Sequence, residues 1–352
     1  MTLIYVNENL VMRSLTKGDA PASYSVTDKN RGYLREWLPW VDRTVSPSDT
    51  EKIIEAWENS FEKGSDAVFG IFENGEYAGN IGLHDMGRPN RSGMIGYWLD
   101  AGRQGRGIIT NCVRALTSYG FHTLGLNRIY ITCAAGNAKS RAVPERLGYV
   151  QEGVMQDGEY LYGVFHDFIV YAVVKRNWAH GPAVSLATPV QSHKDEAMEL
   201  RQEHLDAGEK WIHGSSGLIE VTSYESWLEK VALYRTEAPE GCVKATALFL
   251  LAGPKVVGTV QIRHTLNEEL LEQGGHIGYG VRPSERRKGY GTKMLSLALA
   301  YCRVLGIEKA LVTCDKKNTG SAKVIVKNGG ILENEPADFY GNLVQRYWIN
   351  VL

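Results

Sequence analysis

The sequence predicts two α/β domains in tandem, each an α+β arrangement built on one mixed sheet of six or seven strands. Three observations predict this architecture. The 352 residues suit two domains, because a domain commonly holds roughly 100–200 residues. One half of the chain repeats the other at a nearly constant spacing. Each half places strands first and then strand, helix and strand, an order that favours a mixed sheet with helices on its faces.

The internal repeat is visible residue by residue. The string Ile95-Gly96-Tyr97 recurs 182 positions later as Ile277-Gly278-Tyr279. A repeat of this length indicates duplication of a whole domain rather than a solenoid. Further matching pairs are Gly107 with Gly289, Thr132-Cys133 with Thr313-Cys314, Asn137 with Asn318, Ser140 with Ser321 and Gly148 with Gly329.

The elements also repeat. His180-Gly181-Pro182 is typical of a linker, so we place the domains at 1–178 and 185–352. The predicted segments are leading helices at 16–37 and 188–207, strands at 67–72, 77–83, 95–99 and 128–133 with counterparts at 246–251, 256–262, 277–281 and 310–314, and helices at 110–121 and 292–305.

Composition excludes several classes of protein. Lys and Arg total 39 against 40 Asp and Glu, which argues against a nucleic-acid or membrane-surface partner. No apolar run approaches the roughly 18 residues that span a bilayer, and the first residues do not resemble a signal peptide. Five cysteines without a CxxC pair or a metal-ligand spacing predict a cytoplasmic protein and no metal site.

A basic, glycine-rich loop precedes a helix in each half. It reads Gln104-Gly105-Arg106-Gly107-Ile108-Ile109-Thr110 in the first half and Arg286-Arg287-Lys288-Gly289-Tyr290-Gly291-Thr292 in the second. Glycines let the backbone turn its amides inward, and the free amides and dipole of a helix start favour a phosphate. A solvated surface turn is the alternative, but two such loops at equivalent positions favour phosphate binding.

Spacing excludes two common phosphate sites. The dinucleotide pattern G-x-G-x-x-G fails because Thr110 and Met294 stand where the third glycine belongs. No G-x-x-x-x-G-K-[ST] string occurs either, so the sequence predicts neither NAD binding nor a P-loop.

The loop resembles the [QR]-x-x-G-x-[GA] motif of the GNAT superfamily of acetyl-CoA-dependent N-acetyltransferases. The second half matches it with Arg286, Gly289 and Gly291. The first half matches with Gln104 and Gly107, whereas Ile109 replaces the last small residue, which we expect to crowd the loop.

The resemblance covers nearly the whole chain. Residues 1–178 resemble ribosomal-protein-serine N-acetyltransferases, through Leu126-Asn127-Arg128, the run 136–146 and His166-Asp167. Residues 185–352 resemble an uncharacterised GNAT branch, through the runs 275–279, 282–289 and 328–330. The resemblance implies two tandem GNAT folds, with acetyl-CoA as the cofactor and direct transfer of its acetyl group to a primary amine.

The resemblance also implies where CoA binds. In this family the fourth and fifth strands splay apart, and the pantetheine arm pairs with the exposed backbone like an added strand. An amide near Leu99 or Val281 would then polarise the thioester carbonyl. The implied contacts are Leu99, Gln104, Gly105, Arg106, Gly107, Ile108, Ile109, Thr110, Asn137 and Arg146 in the first half, and Val281, Arg286, Arg287, Lys288, Gly289, Tyr290, Gly291, Thr292, Asn318 and Lys327 in the second.

Acid and base candidates follow from the same resemblance. Ser140 and Ser321 would protonate the departing thiolate, because Pro144 and Ile325 stand where many family members carry a tyrosine acid. The alternative is that these serines are ordinary first-turn helix residues and that Asn137 and Asn318 are only helix caps. His84 and His264 are the candidate bases, and their rivals are Glu73, Asp85, Glu268 and His276.

Three readings of the function remain open from the sequence. The leading one is a cytoplasmic enzyme with two catalytic domains, which acetylates a protein N-terminal α-amine or a small-molecule amine. The sequence is compatible with a homodimer. The second is one catalytic domain fused to a degenerate acyl-CoA-binding domain with a regulatory or structural role. The third is an antibiotic-modifying acetyltransferase.

Overall fold

A computed structural model describes residues 1–87, 89–338 and 340–351. It divides into two compact units, Ile4–Ala183 and Val184–Leu352, and the first three residues group with the second of these. The domain boundaries at 1–178 and 185–352 stay a prediction. No helix of the described residues is long and apolar enough to cross a membrane.

The first unit has a mixed sheet flanked by helices. From β2 to β7 the strand order is β2-β3-β4-β5-β6-β8-β7. Among the described residues of these strands, β5 and β6 pair in parallel and the other neighbours are antiparallel. The strands are β1 (Thr2–Asn7), β2 (Leu10–Arg13), β3 (Ala67–Glu73), β4 (Glu76–Gly87), β5 (Ser92–Leu99), β6 (Arg128–Ala134), β7 (Val150–Leu161) and β8 (Val164–Val174). The helices are α1 (Ala20–Lys29), α2 (Arg31–Leu34), α3 (Pro47–Lys63), α4 (Ile108–His122) and α5 (Ala138–Arg146).

In its described residues, the second unit repeats this order with seven strands in two sheets, β12-β11-β10-β9 and β13-β15-β14. The strands are β9 (Val184–Ala187), β10 (Ala245–Ala252), β11 (Lys255–Arg263), β12 (Ile277–Val281), β13 (Lys309–Asp315), β14 (Ile331–Asn334) and β15 (Val344–Asn350). The helices are α6 (Lys194–Asp206), α7 (Tyr224–Tyr234), α8 (Tyr290–Val304) and α9 (Thr319–Lys327).

The expectation of one sheet per half is therefore wrong for the second unit. Just before β12, the His276 amide donates to the Leu311 carbonyl of β13 at 2.7 Å. The Leu311 amide donates to Nδ1 of His276 at 3.0 Å instead of to a backbone carbonyl. A side chain thus replaces the backbone acceptor, and no ladder forms.

The leading helix of the first unit is also shorter than predicted, because it breaks at Asn30. The Asn30 amide group donates to Asp100 at 3.0 Å, and its Oδ1 accepts from the Ala101 amide at 3.0 Å. The polar side chain thus ties the helix end to the turn that follows β5, and this contact stops the helix before residue 37.

Each unit buries an apolar layer between its sheet and its helices. In the first unit α4 places Leu116 and Phe121 against Phe69 and Ile129 of the sheet, all fully buried. In the second unit Trp227 of α7 stacks on Phe249 of β10, with ring centroids 5.4 Å apart. Such layers hold the sheet rigid and position the strand ends that form the site.

Candidate active site

In the first unit, β5 and β6 separate part-way along their length. Their ladder ends at Met94 opposite Tyr130, although β5 continues to Leu99 and β6 to Ala134. Each strand keeps its outer partner, β4 and β8 respectively. The inner backbone edges of both strands therefore line a gap that an extended chain can enter and pair with.

The direction of the Leu99 backbone amide follows from the hydrogen bond of the next residue. The Asp100 amide donates toward β4, to the Ala78 carbonyl at 2.7 Å. Because successive peptide groups of a strand point in opposite directions, the amide of Leu99 points into the gap. In the second unit the backbone amide of Arg282 donates to the Val257 carbonyl at 2.9 Å. The amide of Val281 therefore points away from β11, on the side of β12 that corresponds to the gap.

The two glycine-rich loops share one backbone conformation. Gly107 and Gly289 both adopt left-handed φ angles, +73° and +82°, at the position just before α4 and α8. Two residues earlier, Gly105 has φ +75° and Arg287 has φ +63°. A left-handed arginine is strained, and such strain persists where the surrounding structure dictates the backbone. No side chain caps either helix start, which leaves the first-turn amides to a ligand.

Several predicted loop cations are already paired. Arg106 contacts the carboxylate of Glu73 at 2.7 Å, and Arg286 contacts Glu209 at 2.6 Å. Lys288 lies 2.9 Å from Glu285. These ion pairs hold three of the predicted loop cations against carboxylates, and the first-turn backbone amides stay the predicted phosphate donors.

The other predicted cofactor residues occupy the same ends of the two units. Ile108 is buried, and Ile109 packs against the core, so its side chain turns inward. Gln104 accepts a hydrogen bond from Lys139 at 3.1 Å. On α8, a Cβ built on Gly291 would lie 3.4 Å from Val324. Thr110 lies on the first turn of α4, and Tyr290 and Thr292 lie on the first turn of α8. Arg146 and Lys327 are exposed and lie on the last turns of α5 and α9 respectively.

In each unit a buried charged side chain ties the turn before the glycine-rich loop to the leading helix. This side chain is acidic in the first unit and basic in the second. Asp100 accepts from Lys29 at 3.1 Å and from Asn30. Burial alone would raise the pKa of Asp100, but these hydrogen bonds lower it below its ordinary value. Arg282 stands 182 residues later, 4% exposed, and binds three carboxylates of α6, those of Glu196, Glu199 and Glu203.

Ser140 belongs to a three-residue cluster at the gap. Its hydroxyl lies 3.1 Å from the Tyr97 hydroxyl and 3.2 Å from the Cys133 thiol. Tyr97 also donates to the Ser140 carbonyl at 2.9 Å. Burial raises the pKa of Tyr97 and of Cys133, so both groups stay protonated near neutral pH. The cluster can therefore pass a proton to a sulfur held in the gap.

The second unit repeats the cluster. The hydroxyls of Tyr279 and Ser321 lie 2.9 Å apart, and burial raises the pKa of Tyr279 to about 12. Cys314 stands at the position of Cys133, and burial likewise raises its pKa. The sequence repeat preserves both pairs, but nothing in the local sequence predicts a role for these tyrosines and cysteines.

Asn137 and Asn318 cap the helices that carry these serines. Each side-chain oxygen accepts from a serine amide, that of Ser140 at 3.1 Å and that of Ser321 at 3.0 Å. The capping role is therefore present in both units. A second role as CoA contacts stays a prediction.

His84 lies on the opposite face of the sheet from Ser140. It pairs with Met94 across the ladder, and side chains alternate along β5, so Met94 and Tyr97 face opposite sides. The His84 Nδ1 lies 3.2 Å from the carboxylate of Asp66. This contact directs the other ring nitrogen away from Asp66, which is the arrangement that a base needs.

His264 does not occupy the corresponding position. The ladder places Arg263 opposite His276. In the first unit the equivalent pair is His84 opposite Met94, so Arg263 is the structural counterpart of His84. His264 lies beyond the strand, its Nε2 is 2.9 Å from the Thr246 hydroxyl, and burial lowers its pKa. The two candidate histidines are thus not structural equivalents, and the role of each stays a prediction.

Glu159, on β7, is a base candidate that sequence reasoning missed. It pairs with His166 of β8, whose ring contacts the ring of Trp37 edge-on at 6.5 Å. Burial raises the pKa of Glu159, which makes the carboxylate a better proton acceptor. Only the tertiary structure reveals this, because nothing in the local sequence indicates desolvation.

Comparisons with known proteins identify the family. The model of the acetyltransferase (GNAT) domain family matches residues 9–150 and 187–331. The chain is a GNAT acetyltransferase. Family membership confirms the predicted fold class, the enzyme class and acetyl-CoA as the cofactor of this GNAT protein.

Individual relatives match about half of the GNAT chain. A Bacillus subtilis (strain 168) protein named, provisionally, as the ribosomal N-acetyltransferase YdaF is 39% identical over 49% of this chain and 95% of its own length. The ribosomal-protein-serine acetyltransferase of Escherichia coli (strain K12) is 30% identical over 48% and 94%. Among solved structures, the ribosomal L7/L12 α-N-protein acetyltransferase RimL with coenzyme A is 30% identical over 49% of this chain and 97% of RimL, with a TM-score of 0.48.

Proposed function

We propose that the first unit transfers the acetyl group of acetyl-CoA to the N-terminal α-amine of a protein, and that the second unit acetylates an amine of its own. The observation that carries this proposal is the Tyr–Ser–Cys cluster at the strand gap, present in both units. The ribosomal-protein acetyltransferases among its relatives support a ribosomal protein as the acceptor of the first unit.

The chemistry of the first unit starts with binding of the donor. The uncapped first-turn amides of α4 would hold the pyrophosphate of acetyl-CoA, and the backbone edges of β5 and β6 would hold its pantetheine arm. The amide of Leu99 would donate to the thioester carbonyl oxygen and stabilise the negative charge that develops there.

Proton transfers complete the reaction. The incoming ammonium must lose a proton before it attacks, and we propose His84 or Glu159 as the group that takes it, supported by the His84–Asp66 contact and the raised pKa of Glu159. The thiolate leaves toward Ser140, which gives up its hydroxyl proton and regains one from the solvent or from Tyr97. General acid catalysis of this kind commonly contributes about 10²–10⁴-fold.

The five cysteines support a reducing compartment, which we propose to be the cytoplasm. All five carry free thiols in the structure, four of them buried. A balanced charge argues against a nucleic acid or a membrane as the partner.

The proposal is tested by counting acetyl-CoA sites on the full chain by calorimetry. We expect two sites per chain, and one site in Gly289→Val, because a side chain at φ +82° distorts the loop of the second unit. Peptides with free and with blocked N-termini then report the acceptor. A single site in the native chain would favour the reading with a degenerate domain, and equal acetylation of blocked peptides would contradict the α-amine.

A further inference from the structure

An exposed clasp joins two distant segments of the first unit. The Arg35 guanidinium binds the carboxylate of Asp42 at 2.8 Å and stacks over the Tyr162 ring, 4.3 Å from its centroid. The Tyr162 hydroxyl donates to Asp42 at 2.9 Å. Arg35 and Asp42 follow α2, whereas Tyr162 lies in the turn between β7 and β8, so the clasp connects residues 120 positions apart.

Two aromatic side chains belong to the same two segments. Trp37 follows Arg35 by two residues, and its ring contacts that of His166 of β8 at 6.5 Å. A Cβ built on Gly136 would lie 3.5 Å from the Trp37 ring. Gly136 immediately precedes Asn137, the cap of the helix that carries Ser140. Trp37 therefore stands at the end of β6, beside the acceptor end of the gap.

The segment that carries Trp37 is held from its other side as well. Arg31 donates to the Thr44 carbonyl at 2.8 Å, and Trp40 packs on Trp98 of β5 with ring centroids 6.1 Å apart. The Ala135 amide donates to the Asp167 carbonyl at 2.8 Å, which fixes the strand next to His166. Both members of the Trp37–His166 pair thus have fixed backbones.

We propose that Trp37 and His166 form a gate that admits only a slender, unbranched amine to the acceptor end of the gap, and that the Arg35–Asp42–Tyr162 clasp positions this gate. The inference rests on the proposed function and extends it to the shape of the acceptor. Trp37 and His166 select the acceptor by contact, and the clasp residues are positioning residues.

The exposure of the clasp explains how an acceptor enters. The side chains of Arg35 and Asp42 are 53% and 39% exposed, and surface ion pairs contribute little stability. The clasp therefore opens at low cost. Hydrogen bonds from Arg35 and Tyr162 lower the pKa of Asp42, so the carboxylate stays charged across the usual assay range and the clasp closes again without a change of protonation.

The carboxylate beside the gate suits a cationic end group. Glu159 lies opposite His166 on β7, so the two side chains share one face of the sheet. A protonated amine is attracted to this end of the gap, whereas its substituents must pass beside the contacting rings of Trp37 and His166. The matching chemistry is the flexible end of a polypeptide with a small first residue, and a bulky fused ring does not fit.

The test uses the full chain with Gly289→Val, so that only the first unit turns over. Two acceptor sets are compared: unbranched against branched primary alkylamines, and peptides that begin with Ser against the same peptides that begin with Trp. We expect Trp37→Ala to raise the branched-to-unbranched ratio of kcat/KM at least about fivefold, because pocket shape commonly discriminates by about 10-fold or more. Tyr162→Phe should shift the ratio in the same direction by less, and Trp37→Phe should restore most of the selectivity.

The matched control is Arg128→Gln, which breaks an exposed Arg128–Glu152 ion pair between β6 and β7, away from the hairpin turn. It should leave the ratio and the KM for acetyl-CoA unchanged. The gate is overturned if Trp37→Ala leaves the ratio as it was, or if Arg128→Gln shifts it equally. Activity on alkylamines without activity on peptides would instead contradict the peptide acceptor alone, and inactivity toward every amine would overturn both proposals.

Discussion

Removal of the Ser140 hydroxyl tests the proton delivery proposed for the first unit. In Ser140→Ala the departing thiolate loses its nearest donor, and the next hydroxyl, that of Tyr97, lies 3.1 Å beyond the lost oxygen. Tyr97 cannot cross this distance without a bridging water. We therefore expect kcat to fall by about 10- to 100-fold, in the lower part of the range for general acid catalysis.

The pH dependence should separate this role from a structural one. A thiol ionises near pH 8.5, so below that value solvent protonates the leaving group readily. The loss in Ser140→Ala should thus be larger at pH 8.5 than at pH 6. The double variant Ser140→Ala/Tyr97→Phe should approach a loss of about 10²–10⁴-fold, because both hydroxyls are gone.

The assay is initial-rate acetylation of a first-unit acceptor, with the dissociation constant of acetyl-CoA measured by calorimetry. The dissociation constant should stay close to that of the native chain, and Ser321→Ala should leave first-unit turnover unaffected. Native turnover in Ser140→Ala would refute the reasoning and leave Ser140 as a first-turn helix residue. A lost affinity for acetyl-CoA would make it a cofactor contact.

Three further predictions concern the second unit. Arg287→Ala/Lys288→Ala should weaken CoA binding measured by calorimetry, but by less than about 3 kcal/mol, since the loop amides remain; unchanged affinity would mean that neither cation contacts the ligand. Arg287→Gly should raise the free energy of unfolding in urea by about 1 kcal/mol, because glycine relieves the strain at φ +63°; a decrease would show that the side chain stabilises the loop. Burial and then Arg263 lower the pKa of His276 to about 4, so the native state resists protonation and loses about 3 kcal/mol of stability between pH 6.5 and 4. His276→Asn keeps an acceptor for Leu311 and should flatten this loss, and an unchanged pH slope would contradict the assignment.

The duplication, the element order and the glycine-rich loops were readable from the sequence because each depends on local chemistry. Gly107 and Gly289 mark the left-handed turn before a helix, and glycine tolerates that turn better than other residues. The serines and their asparagine caps lie within four residues of each other, so their spacing alone predicts contact. The family resemblance rests on the same short-range strings.

Errors arose where a distant partner decides the outcome. The leading helix breaks because Asn30 bonds to a turn 70 residues away. The second sheet splits because the His276 ring takes a backbone donor. His84 and His264 look equivalent in the sequence, but the strand register makes Arg263 the structural counterpart of His84. Register depends on the partner strand, which no local pattern contains.

The sequence by itself predicted the two-domain α/β architecture, the glycine turns that precede two helices, and the serines on the first turns of two others. Only the tertiary structure decided which groups surround those serines, that Arg106 and Arg286 are bound by carboxylates, and that Trp37 meets His166 beside the gap. The physical reason is the range of the interactions. Turn conformation and helix capping act over a few residues, whereas burial, ion pairing and ring packing join side chains that the chain brings together only when it folds.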